Sequence, residues 1–137
     1  MSHDPAKAVE VREWLTRAEA DLRAASVLLR ADPPLLPAAL FHCQQAAEKS
    51  MKALLVWNDV VFRRTHDLGE IGRQCTALDP TIEPLCRRAD ELTVFAWIFR
   101  YPGSPDTPDH SEATDALALA QDVVNTVLSR LPADVRP

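Results

Sequence analysis

From Pro37 to Trp57 the chain reads PAALFHCQQAAEKSMKALLVW, with one proline at its start and no glycine. Ala, Leu, Met, Glu, Lys and Gln dominate the stretch, and all of them favour helix. At about 100° per residue, Leu40, Cys43, Ala47, Met51, Leu54 and Leu55 fall on one broad face. His42, Gln45, Lys49 and Lys52 fall on another, within roughly 80° of one another. An apolar helix with a narrow basic stripe constrains everything around it. Its broad face must be covered, and its cations must meet solvent, a protein carboxylate or an anionic ligand.

The flanking segments supply more helices. Asp4 caps a first helix with Pro5 at its first position. Val11, Trp14, Leu15, Ala18, Leu22, Ala25 and Leu29 follow helical spacing up to Ala31, where Asp32-Pro33-Pro34 stops the helix. Trp14 reads as a packing anchor. After a turn over Pro34–Pro37 and the helix Pro37–Trp57, residues Asn58–Thr65 form a connection that suits a reversal between antiparallel helices. Asp67 with Glu70 opens a short helix, Leu68 to Ala77. Thr81 and Pro84 open a fourth, on which Leu85, Ala89, Leu92, Ala96 and Phe99 form one stripe. Tyr101–Asp109, with three prolines and a glycine, is loop. Asp109 with Glu112 caps a fifth helix, whose stripe runs from Ala113 to Leu131 before Pro132. No strand is predicted. The expected fold is all-α: one domain over residues 1–137, an up-and-down antiparallel bundle of four long helices and one short one.

Composition narrows the function classes. The 137 residues carry a net charge of −5 and a pI near 5.3, which argues against bulk, salt-driven nucleic-acid binding. Cys43, Cys75 and Cys86 form no C-x-x-C, so neither a zinc site nor a disulfide framework is expected, and a cytoplasmic setting is the simplest. The opening MSHDPAKAVE lacks the apolar core of a signal peptide, and no apolar run approaches membrane-spanning length. There is no Gly-rich phosphate loop, no G-x-S-x-G and no H-E-x-x-H; the histidines lack ligand spacing. No metal and no cofactor are expected.

The strongest constellation is Gln45, Lys49 and Lys52 with Arg63, Arg64 and His66. One reading is an internal ion-pair network, with Asp21, Asp90 and Glu91 as available carboxylates. The other is a phosphate site in which Lys supplies a point charge and Arg a bidentate fork, with Arg100 and Tyr101 closing the pocket and Tyr101 stacking on a base. Lys49, one turn after Gln45 on the enclosed helix, is expected in the network. Arg64 and Arg100, at or beyond helix ends, are expected at the ligand. His66, just before a helix start, also suits a capping role, and His42 a satisfied core histidine.

Three segments, FHCQQAAEKSMKALLV, RTHDL and RYP at Arg100–Pro102, resemble in order the small bacterial members of the HEPN family (higher eukaryotes and prokaryotes nucleotide-binding). The resemblance spans nearly the whole chain and implies a helical bundle. It also implies a binding module that works with a separate minimal nucleotidyltransferase, as in some toxin-antitoxin pairs, on a nucleotide or another phosphorylated small molecule. Many family members are metal-independent ribonucleases with an Arg followed by a His after about five residues; the His moves a proton and the Arg steadies the phosphorane. This chain departs from that pattern: Arg100 and His110 have nine residues between them. The ligand-binding set is therefore Gln45, Lys49, Lys52, Arg64, His66, Arg100 and Tyr101, with Arg100 and His110 as the catalytic pair only in the alternative of an RNA-cleaving toxin with a degenerate motif. A second alternative is a purely structural homo-oligomer. Apolar Phe95, Trp97 and Ile98 beside the Leu92 stripe lead us to expect a homodimer.

Overall fold

The computed structural model describes residues 4–103 and 107–137. Met1 to His3, and residues 104–106 of the expected loop, lie outside the described residues. Helix α1 spans Pro5–Arg30, with the Asp4 carboxylate accepting from Ala6 N at 2.9 Å. Its buried side is Ala8, Val11, Leu15, Ala18, Asp21, Ala25 and Leu29. That spacing of three and four places one carboxylate, Asp21, in an otherwise apolar register. Leu35 N donates to Leu28 O at 3.0 Å, closing the reversal into α2, Leu36–Trp57.

Helix α2 packs against α1, against the two later helices called α3 and α5 below, and against segment 90–96. All six residues expected on its apolar face are buried. So are Gln44, Glu48, Ser50 and Lys52, which makes α2 a core helix with polar residues inside it. Asn58 Nδ2 donates to Leu54 O at 2.8 Å at its end. Asp59 follows with φ 58, a left-handed conformation that Asp tolerates better than most residues.

Asp67 caps α3, Leu68–Leu78, by accepting from Gly69 N and Glu70 N. Gly72 costs helix propensity but lets the next helix close in: a Cβ there would stand 3.2 Å from Cys86 Cβ.

The fourth helix differs from the single long stripe expected. A 3₁₀ turn at Pro80–Ile82 leads into α4, only Glu83–Ala89, and residues Asp90–Ala96 continue as 3₁₀. The Thr93 hydroxyl ties this segment down. It accepts from Leu68 N at 3.0 Å and donates to Asp90 Oδ1 at 3.0 Å. Residues three apart eclipse in a 3₁₀ helix, so the tighter winding brings Asp90 and Thr93 together and ties the segment to the start of α3. Helix α5, His110–Ser129, is capped by Asp109 at Glu112 N, 2.7 Å. The bundle thus has three long helices and two short ones, and no strand among the described residues.

Leu15, Leu54 and Leu92 are fully buried, and Leu22 and Leu117 pack half-buried against them. Burial pushes the thiols of Cys43 and Cys75 up to about 12, and that of Cys86 upward, so they serve as small apolar side chains. Among the described residues no helix is long and apolar enough to cross a membrane. Leu54→Ala, at 3% exposure in the centre of the bundle, is expected to cost about 2–5 kcal/mol in a urea melt; a loss under about half a kcal/mol would contradict its place in the core.

Candidate functional site

The stripe on α2 resolves into two buried carboxylates, each shared by a lysine and a histidine. Asp21 of α1 faces His42 Nδ1 at 2.8 Å through Oδ1 and accepts from Lys49 Nζ at 2.7 Å through Oδ2. Glu48 of α2 faces His66 Nδ1 at 2.6 Å through Oε1 and accepts from Lys52 Nζ at 3.0 Å through Oε2. Both carboxylate side chains are at most a tenth exposed. Gln44 completes the second centre: its Nε2 donates to Glu48 Oε1 and to the His66 carbonyl, both at 3.1 Å. Gln45 Nε2 donates to Gln44 Oε1 at 2.7 Å. Lys52, 8% exposed, also lies 5.7 Å from the Trp14 ring centre and 5.6 Å from that of Phe62. A lysine so enclosed is held by its carboxylate and by two ring faces.

Four of the seven expected ligand residues, Gln45, Lys49, Lys52 and His66, are therefore joined in hydrogen-bonded centres around Asp21 and Glu48. Asp21 is one of the three carboxylates expected for the network. Asp90 instead bonds to Thr93, and Glu91 is exposed; Glu48 takes their place. Glu48 was legible in the sequence, since Gln44, Glu48 and Lys52 stand at i, i+4 and i+8 on one helix face. The Asp67 carboxylate caps α3, and the His66 ring turns to Glu48. His42 is satisfied by Asp21, and its ring meets Phe41 edge-on at 5.4 Å.

The remaining expected residues lie elsewhere. Arg64 is exposed on the connection after α2, while its neighbour Arg63 pairs with Glu70 at 2.9 Å. Arg100 lines a groove of about 390 Å³ between the start of α2 and residues 95–100, with Phe41, Phe95, Trp97 and Phe99. The Phe95 and Phe99 rings stack at 6.2 Å, and Trp97 is 52% exposed. Tyr101 is exposed beside the groove's end. Twelve residues of helix, about 18 Å of rise, separate Pro37 in this groove from Lys49. His110 is the exposed first residue of α5, with Nδ1 at 3.4 Å from Thr114 Oγ1. Among the described residues no three His, Cys, Asp or Glu side chains gather where they can hold a metal ion.

These features define an all-helical bundle with a buried polar seam on its central helix and a cationic aromatic groove at that helix's start. The sequence model of the HEPN domain matches residues 11–131, and the chain belongs to that family. A protein of Methanocaldococcus jannaschii described as "Putative toxin MJ1304" is 43% identical over 51 residues. That match covers 37% of this chain and 32% of the relative, so the chain spans about a third of the relative's length. No solved structure matches the chain.

Lys49→Ala removes the lysine from a carboxylate whose other partner is His42. The expected result is a loss of about 1–3 kcal/mol in a urea melt. A variant as stable as the parent, or more stable, would show that Lys49 is a crowded cation awaiting an anionic ligand.

Proposed function

We propose that this chain is a toxin-like HEPN module that binds a nucleotide or another phosphorylated small molecule at the Arg100 groove, and that it works with a separate minimal nucleotidyltransferase. The observation that carries this reading is the placement of Arg100 on a groove lined by Phe41, Phe95, Trp97 and Phe99. Aromatic faces stack on any base, and a guanidinium at the rim suits a phosphate; base–aromatic stacking contributes about 1–3 kcal/mol per base. The charge also bears on the expected homodimer. Phe95 and Ile98 are half-buried, leaving Trp97 as the most exposed apolar side chain of the three. An arginine on the rim favours an anionic occupant over a second apolar face. Lys49 and Lys52 stand behind this function as part of the scaffold, because each already meets a buried carboxylate.

The nucleotidyltransferase partner is an inference from family resemblance. The toxin reading leans on the described relative, whose match covers only part of both chains. No ribonuclease activity through Arg100 and His110 is proposed. The nine-residue spacing departs from the family's pattern, and His110 lies beside Thr114 at the start of α5.

A thermal-shift panel of nucleoside monophosphates tests the binding reading. Ligand at about 100 times Kd adds about 2.7 kcal/mol, a rise of several degrees for a domain of this size. High salt is expected to erase most of the gain. Arg100→Ala and Trp97→Ala are expected to abolish the shift while leaving the unliganded protein nearly as stable. No shift with any nucleotide, together with a soluble and stable Arg100→Ala, would remove the nucleotide-binding claim.

A further inference from the structure

His66 has a geometry that the groove does not use. It ends the connection between α2 and α3 and is held at two points, its carbonyl by Gln44 and its ring Nδ1 by Glu48. Glu48 accepts from Gln44 on one oxygen and from Lys52 on the other, so the carboxylate acts as an acceptor throughout. Its partner Nδ1 must then carry the hydrogen, which fixes the tautomer of the neutral imidazole as the one with its lone pair on Nε2. The side chain is 55% exposed, and among the described residues nothing hydrogen-bonds to Nε2. A nucleophilic nitrogen is thus aimed outward with a buried carboxylate behind it.

We propose that His66 Nε2 is a phosphoryl-acceptor site, taking a phosphoryl group from a small phosphoramidate or acyl phosphate donor. With phosphoramidate as donor, the Nε2 lone pair attacks phosphorus and a new N–P bond forms. The donor's own P–N bond breaks, and its nitrogen leaves as ammonia with the three hydrogens that it carries in the zwitterion. The imidazole becomes a phosphorylated imidazolium that retains its Nδ1 hydrogen, and the Glu48 carboxylate stands against the new positive charge.

The other described histidines provide internal controls. His42 also faces a carboxylate, Asp21, but its side chain is 32% exposed and its ring edge rests on Phe41. His110 is exposed but has Thr114, not a carboxylate, beside its Nδ1. The geometry therefore orders them: His66 first, His42 second, His110 last.

The experiment incubates the full chain with potassium phosphoramidate at neutral pH. Phosphohistidine is followed by phosphorus NMR, and its position by peptide mass spectrometry. His66 is expected to label at least about tenfold faster than His110, with the phosphoryl group on Nε2. Glu48→Gln is expected to slow His66 labelling by about tenfold or more while leaving His110 unchanged. His66→Gln should remove the fast phase. Should Glu48→Gln fail to fold, the order of the three sites in the unaltered chain still decides the matter. Equal labelling of His66 and His110, label on Nδ1, or no label on His66 would each overturn the proposal.

Discussion

The shared carboxylate of Glu48 is the interaction on which the rest of this structure depends. It sits within the most enclosed helix, 5% exposed, and meets Lys52, His66 and Gln44 together. A lone carboxylate at that depth would be strongly disfavoured, as would Lys52 without it. Together they let a polar helix face lie inside an apolar bundle. The same contacts fix the connection after α2, because Gln44 and Glu48 hold the backbone and the ring of His66. Once His66 is fixed, Asp67 stands where it can cap α3, and Leu68 N reaches Thr93. Asp21 repeats the arrangement between α1 and α2, so a second buried anion registers the first helix on the central one.

This arrangement divides the basic residues by role. Lys49 and Lys52 have carboxylates within 3.0 Å, and Lys52 is buried. Arg64 and Arg100 are exposed, and Arg100 borders an aromatic groove. The net charge of −5 is compatible with the proposed anion site, since that proposal asks for few cations and places them outside the seam.

Much of this was legible in the sequence, for physical reasons that differ from residue to residue. Helical periodicity placed Leu40, Cys43, Ala47, Met51, Leu54 and Leu55 on one face, and all six are buried, because a long period-3.6 pattern has few other solutions. The caps at Asp4, Asp67 and Asp109 were legible because each precedes its helix with a carboxylate that reaches the first free N–H groups. The continuation after Ala89 was not. Its spacing suited an α-helix, and the tighter winding goes with a tertiary bond, Leu68 N donating to the Thr93 hydroxyl, that local spacing does not announce. The network partners were half legible. Asp21 lies on an apolar stripe, where a carboxylate must be paired. Glu48 stands beside conspicuous cations, and its i, i+4 relation to both Gln44 and Lys52 is the local signal that marks it as their partner. The aromatic groove joins the start of α2 to residues 95–100, a long-range meeting that no local pattern announces.

The central claim is that the lysines of α2 are held by the protein's own carboxylates. A double-mutant cycle on Glu48 and Lys52 tests it most directly, with Glu48→Gln, Lys52→Met and the double variant compared in urea melts without added ligand. Two groups 3.0 Å apart and nearly excluded from water are expected to show a coupling of about 1.5–3 kcal/mol, with the double variant more stable than the sum of the single losses allows. Additive losses, with coupling within about 0.3 kcal/mol of zero, would contradict the account.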